Sequence, residues 1–375
     1  MKTNYKLSGT PNSPVLIFSN SLGSTMAMWD DLIPYLLPYF RILQYDTRGH
    51  GGSEVGVDPC TIEALGRDVL EIMDQLNIEK AAFCGLSMGG LIGQWLGVHA
   101  PERFSHLILS NTAAKIGEES SWEARIKNII KNGMSVLSES TMNVWFTDAF
   151  RKNYPQKEVW ATQMLLNNNL IGYANCCTAI GEADFRDSIK NIPLKTLVIT
   201  GDEDAVTTII HAEFMVAQIP NAELKVLPAR HLASTELPAE FASLLIHFIV
   251  GETSFEKGMH VRRTVLGNEH VDRAQNNITE FNEAFQEMVA EVPWGMVWTR
   301  PGLTKHQRSL ITLSMMIALN RTPEFKMHIK AAINNGVTPD EIKELMLQSA
   351  IYCGFPAANE AYHSAQEVLG NLDLN

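Results

Sequence analysis

Several features that would place the chain in a membrane or outside the cell are missing from its 375 residues. No run of about 18 apolar residues occurs, so the sequence predicts no membrane span. The N-terminal stretch has neither the apolar core nor the cleavage site of a secretory signal. The five cysteines are an odd number without framework spacing, which is typical of a protein kept reduced. We therefore expect a cytoplasmic location.

Positive charge is also scarce. The chain has 30 Lys and Arg residues against 42 Asp and Glu, a net charge of −12, and no basic run. This balance argues against binding to nucleic acid and to anionic membrane surfaces. Small anionic substrates are not excluded, because a pocket needs only one or two well-placed cations.

The length of the chain predicts two domains. A single hydrophobic core stops growing at roughly 250 to 300 residues, and this chain is longer. The charged, Gly-, Ser- and Thr-containing stretch 251–258 is interpreted as a linker between a first domain, 1–250, and a second, 259–375.

The first domain alternates β-rich runs with helical stretches. The predicted strands are 15–20, 41–46, 81–85, 106–111, 195–201 and 223–228. Apolar residues at helical spacing predict helices at 61–78, from 88 to Pro101, and at 241–250. This alternation is typical of βαβ units in a mainly parallel sheet. The strand-free, aromatic segment at about 113–190 is predicted to be a helical cap.

The second domain shows almost no strand signal. Its predicted helices are 269–291, 304–319, 323–335, 338–353 and 356–369. Thr338, Pro339 and Glu341 have the order of a capping box with proline at the first helical position. We predict a separate all-α domain.

The stretch FCGLSMGG, residues 83–90, clusters glycines around Ser87 directly after a predicted strand. Gly-x-Ser-x-Gly between a strand and a helix is the nucleophile elbow of hydrolases, in which a sharp turn exposes the serine. A tight packing turn with an incidental serine is the alternative. The strand before the motif and the glycine-rich helix after it favour the elbow.

A serine nucleophile requires a histidine base and an orienting carboxylate, expected here in the order acid, then histidine. Asp202 and Asp204 follow the strand 195–201, and His231 follows the strand 223–228. All three lie beyond strand ends, where open α/β sheets place their chemistry. Acyl transfer also requires oxyanion donors, which we expect from the backbone N–H groups of Leu22 and Met88.

Four stretches, SNSLGSTMAMW, YDTRGHGGS, FCGLSMGGLIGQWLG and LSNTAAKIG, resemble the α/β-hydrolase family, and within it the 3-oxoadipate enol-lactonases. The resemblance covers about residues 3–250 and implies the α/β-hydrolase fold. It favours Asp204 over Asp202 as the acid. The implied substrate is an enol lactone with a free carboxylate, for which Arg125 or Arg151 is a candidate partner, with Trp122 and Trp145 lining the pocket.

Residues 258–370 resemble 4-carboxymuconolactone decarboxylases, which have the alkylhydroperoxidase-D-like helical fold. The resemblance is carried by stretches such as WGMVWTRPGLTKHQRSLITLSMMIALNR and AIYCGFPAANEAYHSAQEVL. Peroxidatic relatives carry Cys-x-x-Cys-x-x-x-His, whereas this chain has Arg321, Glu324 and His328 in the same frame. Without a thiol pair, a peroxidase reaction is disfavoured.

The implied decarboxylation needs neither a cofactor nor a metal, because the lactone delocalises the electrons that CO2 leaves behind. His328 is proposed to donate a proton to carbon, with Glu324 orienting it from the same helix face and Arg321 binding anionic groups. A simple helix pair of Glu324 and His328 is the alternative. Arg262, Arg263 and His270 are further candidates for the substrate carboxylates.

The decarboxylase product is the lactonase substrate, so the two resemblances explain each other as consecutive steps. They predict a bifunctional enzyme that yields CO2 and 3-oxoadipate, and a homo-oligomer that assembles through the second domain. One alternative is a hydrolase of another ester or lactone whose second domain serves only oligomerisation. Another is a hydrolase-fold receptor without turnover.

Overall fold

The computed structural model describes residues 2–11, 13–56 and 60–370. The chain divides into two compact units, Met1–Ile249 and Val250–Asn375. Within the described residues, every helix is too short or too polar to cross a membrane.

The first unit contains one seven-stranded sheet. Its strands are β1 Tyr5–Ser8, β2 Val15–Ser19, β3 Arg41–Tyr45, β4 Ala81–Leu86, β5 Phe104–Ser110, β6 Lys195–Gly201 and β7 Ala222–Leu227. The order is β1-β3-β2-β4-β5-β6-β7, with β1 antiparallel to β3 and all other pairs parallel. The mainly parallel sheet predicted from the sequence is confirmed. The short edge strand β1 was not predicted.

Helices cover the sheet and build the cap. They are α1 Ile33–Leu36, α2 Ile62–Gln75, α3 Met88–His99, α4 Glu119–Asn132, α5 Ser138–Trp145, α6 Asp148–Asn153, α7 Pro155–Leu166, α8 Leu170–Glu182, α9 Ile209–Gln218, α10 Ala233–Glu236 and α11 Pro238–Val250. The five helices α4–α8 form the cap between β5 and β6. Strand β4 is buried along its whole length, and α3 packs against it, so the site at their junction rests on buried elements.

The second unit is helical throughout its described part. Its helices are α12 Ser254–Leu266, α13 Asn268–Asn276, α14 Glu283–Val289, α15 Lys305–Ala318, α16 Thr322–Asn334, α17 Pro339–Cys353 and α18 Phe355–Gly370, with a π-helical segment at Ala290–Val297. The predicted all-α character is confirmed. Helix α12 packs against the π-helical segment, and Gly295 permits the contact, because a Cβ there would lie 1.8 Å from the Ser254 carbonyl oxygen.

The structure corrects two predictions in this unit. The predicted linker 251–258 is helical from Ser254, because Thr253 and Glu256 form a capping box whose side chains bond each other's backbone N–H groups. The predicted helix 269–291 is interrupted after Asn276. There the Asn282 side chain accepts from Thr279 N and donates to Asn277 O, which replaces helical hydrogen bonds.

Candidate active sites

Ser87 occupies a strained turn between β4 and α3. Its backbone has φ 58° and ψ −112°, a region that side-chain-bearing residues rarely adopt. The turn is held by hydrogen bonds from Ser87 N to Ser110 O, 2.9 Å, and from Thr112 Oγ1 to Ser87 O, 2.8 Å. The residue is 7% exposed. This is the geometry of a nucleophile elbow.

The glycines around Ser87 are required by close backbone approach. A Cβ on Gly85 would lie 2.0 Å from Gly89 O, and one on Gly89 would lie 2.2 Å from Ser19 O. A Cβ on Gly90 would lie 2.5 Å from the Thr112 side chain. Because backbone cannot move aside as a flexible side chain can, Gly85 and Gly89 exclude larger residues, whereas at Gly90 the obstacle is the buried Thr112 side chain.

Asp204 and His231 are paired. Asp204 follows β6, His231 follows β7, and Oδ2 of the carboxylate accepts from imidazole Nδ1 at 2.8 Å. Both residues are 4% exposed. The bond places the Nδ1 proton between the two residues and leaves Nε2 as the basic nitrogen. Asp202, the alternative acid, is exposed.

Asp204 is kept ionised by its surroundings. Burial by itself would raise its pKa, but the His231 charge and the hydrogen bonds to the carboxylate hold the pKa of Asp204 well below its usual range. Thr207 donates its N–H and its hydroxyl, and Asn111 Nδ2 donates at 3.0 Å. The sequence analysis missed Asn111, the last residue of the predicted strand 106–111, and Thr207, which lies three residues after Asp204.

Ser87 lies at the same edge of the sheet as the pair. Its N–H bonds the last residue of β5, Ser110, and the next residue, Asn111, bonds Asp204. Within the described residues the Ser87 hydroxyl makes no hydrogen bond to the imidazole; in enzymes without substrate this bond is often long. The contacts through β5 nonetheless bring the three side chains to one end of the strands.

The two expected oxyanion donors border the elbow. Met88 is the first residue of α3, where a helix leaves its N–H without an internal partner. Leu22 lies in the loop after β2. That loop is braced by Gly23 N donating to His50 Nε2, 3.0 Å, and tied to α3 by Gly89 N donating to Asn20 O, 3.1 Å. Burial lowers the pKa of His50, which suits its neutral, accepting role.

The cap contributes Trp122 and Arg125 from α4. The Arg125 guanidinium lies 5.5 Å from the centre of the Trp122 ring, and Trp122 Nε1 donates to Ile116 O at 2.7 Å. Burial raises the pKa values of Tyr173 and Cys177 on α8, and the nearby Arg125 charge opposes this rise. The charge of the half-buried Arg125 is therefore close enough to act on Tyr173 and Cys177.

Trp145 and Arg151 have different surroundings. Trp145 is buried and its carbonyl accepts from Leu232 N at 3.0 Å, beside the His231 segment. Arg151 forms ion pairs with Glu158, 2.6 Å, and Glu139, 3.4 Å. Its charge is already compensated.

The second unit buries Arg262, and two nitrogens of its guanidinium lack hydrogen-bond partners among the described residues. Arg262 on α12 is 6% exposed, and within the described residues its Nε and Nη1 atoms have no hydrogen-bond partner. Burial lowers its pKa. A desolvated guanidinium without an acceptor is costly, so this position invites an anion.

His270 lies in the field of Arg262, and His328 lies in the field of His270. Burial and the Arg262 charge lower the pKa of His270 on α13. Burial and the His270 charge also lower the pKa of His328 on α16, whereas the Glu324 charge opposes that shift. Four side chains from three packed helices thus form one electrostatic group.

A cavity of about 600 Å³ opens beside this group. His270 lines it, together with Arg273, Lys326 and Lys330, which the sequence analysis did not single out. Their signal was present: positions 326 and 330 lie one helical turn apart and flank His328. Glu269 and Glu367 line the cavity too, and they pair with Arg273 at 2.9 Å and with Lys326 at 2.6 Å, so part of its positive charge is already compensated.

Arg263 and Arg321 do not join the group. Arg263 is ion-paired with Asp272 at 2.7 Å. Arg321 is exposed and lines a separate small groove with Thr322 and Glu360. No group of three or more His, Cys, Asp or Glu side chains that would hold a metal occurs in the part of the chain that the structure describes.

Comparisons with known proteins place each unit. Residues 14–133 match the model of the alpha/beta hydrolase fold, and residues 283–367 match that of the Carboxymuconolactone decarboxylase family. The 3-oxoadipate enol-lactonase 2 of Acinetobacter baylyi is 42% identical over 64% of this chain and 89% of its own length. The 4-carboxymuconolactone decarboxylase of the same organism is 46% identical over 33% of this chain and 92% of its own length.

The crystal structure of the enol-lactonase from Burkholderia xenovorans is similar to the first unit, with a TM-score of 0.65 and 36% identity over 66% of this chain and 96% of that chain. The predicted fusion of these two families, with an α/β-hydrolase fold first, is confirmed.

Proposed function

The chain belongs to the α/β-hydrolase fold family in its first unit and to the carboxymuconolactone decarboxylase family in its second, and we propose that it is a bifunctional enzyme of aromatic catabolism, in the β-ketoadipate pathway for protocatechuate. Its second unit decarboxylates 4-carboxymuconolactone. Its first unit hydrolyses the resulting enol lactone to 3-oxoadipate. One observation carries the proposal: two relatives that cover separate parts of one chain are named for reactions that share a compound.

In the first unit, Ser87 acts as the nucleophile. His231 Nε2 accepts the hydroxyl proton while Asp204 stabilises the imidazolium through Nδ1. The serine oxygen bonds the lactone carbonyl carbon, and the bond from that carbon to the ring oxygen breaks. The ring oxygen takes the proton back from His231 and leaves as an enol that tautomerises to a ketone. A water deprotonated by His231 then releases 3-oxoadipate. The N–H groups of Met88 and Leu22 stabilise the oxyanion.

The cap supplies specificity for the free carboxylate of the lactone. Arg125 is the better candidate of the two cap arginines, because Arg151 is neutralised by Glu158 and Glu139. Trp122 holds Arg125 through a cation–π contact, and Trp145 forms a wall near His231.

In the second unit, loss of CO2 leaves an electron pair that spreads through the ring double bond to the lactone carbonyl. The protein must stabilise this dienolate and deliver a proton to carbon. We assign the proton to His328, oriented by Glu324. Burial and the His270 charge lower the pKa of His328, and the negative charge of a bound substrate would oppose this shift and favour the protonated imidazole.

Arg262 and His270 are proposed to bind substrate carboxylates. Arg262 has the unsatisfied donors, and His270 lines the cavity through which a ligand would enter. The exposed Arg321 lies with a different groove, so we give it at most a minor role in binding.

The test is a spectrophotometric assay on 4-carboxymuconolactone with wild type, Ser87→Ala and His328→Ala. Ser87→Ala should consume the substrate normally and accumulate enol lactone, its hydrolysis falling at least about a thousandfold. His328→Ala should slow decarboxylation by roughly 10² to 10⁴-fold and hydrolyse added enol lactone at the wild-type rate.

Each variant controls for the other, since both carry one intact unit. Hydrolysis by Ser87→Ala at the wild-type rate, after correction for the spontaneous reaction, would refute Ser87 as the nucleophile, and an unchanged decarboxylation rate in His328→Ala would refute His328 as the proton donor. A wild-type chain that does not decarboxylate the substrate would remove the decarboxylase assignment and leave a lactonase whose second unit has another role.

One observation favours a role of the second unit in assembly and supports the proposed homo-oligomer. Large apolar side chains stand exposed around the junction of α17 and α18, among them Ile351, Tyr352 and Phe355, each at least 73% exposed. Exposed apolar patches mark interaction surfaces. Ile351→Glu should lower the oligomeric state measured by light scattering; an unchanged mass would contradict assembly through this surface. The five free thiols support a cytoplasmic location.

A further inference from the structure

The backbone around His231 is bonded directly to the cap. His231 N donates to Val144 O at 3.3 Å, and Leu232 N donates to Trp145 O at 3.0 Å. These carbonyls belong to the end of α5, in the cap. Two adjacent backbone hydrogen bonds therefore link the segment of His231, the proposed base, to the segment of Trp145, the proposed pocket wall.

Glu236 bridges the same two segments from the side. Its Oε1 accepts a hydrogen bond at 2.8 Å from the backbone N–H of Arg230, the residue before His231. Its Oε2 accepts from Thr147 N at 3.1 Å and from the Thr147 hydroxyl at 2.6 Å. One carboxylate thus accepts three hydrogen bonds from Thr147 and Arg230, which lie 83 residues apart in the chain.

The Arg230 side chain also bonds the cap, but as a donor to cap acceptors. Its Nη1 donates to Asn143 O, 3.1 Å, Phe146 O, 2.9 Å, and the Asp148 carboxylate, 2.9 Å. The side chain is 21% exposed, so these bonds are partly shielded from water. Arg230 and Glu236, on either side of the histidine in sequence, therefore enclose it between two contacts with the cap.

We propose that Glu236 is a positioning residue for the hydrolysis, whose carboxylate fixes the cap against the His231 segment so that the base and the Trp145 wall keep one geometry. The inference rests on the proposed lactonase function of the first unit. Glu236 does not touch substrate. It acts through the backbone of residues 230–232 and 144–147.

The contact between Glu236 and its two neighbouring segments requires that both carboxylate oxygens accept hydrogen bonds. A glutamine in this place keeps the shape of the side chain, but its amide nitrogen would face either the Arg230 N–H or the two Thr147 donors. At least one donor of the clamp then loses its acceptor in a half-buried site. Glu236→Gln therefore loosens the clamp without opening a cavity.

The test measures kcat and KM for the enol lactone in full-length Glu236→Gln, with Glu240→Gln as the matched control. Glu240 is an exposed carboxylate on α11, four residues further along. We expect Glu236→Gln to lower kcat by about 10- to 100-fold, because small displacements of a catalytic group cost this much, and to leave decarboxylation by the second unit unchanged. Glu240→Gln should stay within about twofold.

A double-mutant cycle separates positioning from folding. Thr147→Val removes the hydroxyl donor, so its effect on kcat should not add to that of Glu236→Gln, and Thr147→Ser should restore the wild-type kcat. A Glu236→Gln variant with a lower melting temperature but wild-type kcat below it would overturn the inference and leave the lactonase assignment standing. Additive losses would overturn it too. A wild-type chain that hydrolyses no enol lactone would refute the proposed function and this inference together.

Discussion

The two candidate sites differ in how far they are assembled before a ligand arrives. In the first unit, Asp204 receives hydrogen bonds from Thr207, Asn111 and His231, so its charge is satisfied in the protein alone. In the second unit, Arg262 is buried with two donor atoms that lack partners within the described residues. The first site is organised around a nucleophile, and the second holds a positive charge that a ligand would satisfy.

This difference follows from the chemistry proposed for each unit. Acyl transfer requires a base that is correctly oriented before the substrate binds, and therefore a fixed hydrogen-bond network. A decarboxylation in which the substrate delocalises its own electrons requires mainly anion binding and one proton. Unsatisfied donors are tolerable there because the substrate supplies the acceptors.

Asp204→Asn probes the preorganised site and should have the largest effect. An amide in place of the carboxylate loses the charge that stabilises the imidazolium and permits the wrong histidine tautomer, so kcat for the enol lactone should fall roughly 10³- to 10⁴-fold. Stopped hydrolysis assays give this value. Decarboxylation by the same sample is the internal control. A loss below tenfold would mean that His231 needs no orienting charge.

A comparison of the decarboxylation rates of Arg262→Gln and Arg263→Gln tests whether the second site binds an anion. Removing the buried Arg262 charge should slow decarboxylation about 10- to 100-fold, mainly through KM, while raising the melting temperature of the second unit, because an uncompensated buried charge is removed. Arg263→Gln breaks only a partly exposed ion pair with Asp272.

We expect Arg263→Gln to change the rate less than about threefold and stability by less than about 1 kcal/mol. Equal effects of the two substitutions on decarboxylation would contradict the distinction between them. Loss of stability in Arg262→Gln would show that its guanidinium has partners in the folded chain.

The smallest effect concerns Glu341, which caps α17 and pairs with His306 at 3.0 Å. Hydrogen bonds from Thr338 and His306 lower the pKa of Glu341 from 4.5 to about 2. A depressed pKa contributes stability above the unfolded value, which is lost as the pH falls through the folded one. The melting-temperature difference between wild type and Glu341→Gln should therefore be full at pH 6 and vanish near pH 2. A difference independent of pH would contradict this.

Much of the first site is visible in the sequence because its parts are local. Ser87 has glycines at fixed spacing, and the acid and base follow strands in a fixed order. Glu236 and Asn111 carry no such signal. Their roles depend on contacts between segments distant in the chain, which periodicity does not reveal.

In the second unit the sequence does not separate Arg262 from Arg263. Neighbouring residues on a helix point about 100° apart, so the phase of the helix decides which one is buried. Because 251–258 was interpreted as a linker, the start of α12, and with it that phase, was not predicted. The break after Asn276 was missed for a related reason, since asparagine side chains replaced helical bonds there.

The crowded glycines beside Ser87 have a consequence for laboratory evolution of this protein. A library that randomises 85 and 89 in search of an altered substrate range would return almost only the parental residue, because the added atom would meet main chain. Gly133 and Gly251 have nothing within 4 Å of the added atom, so only their positive φ limits substitution there. At Gly133 the φ of 80° and ψ of 171° define a region that is essentially restricted to glycine. Positions on the helices of the cap are better choices for randomisation.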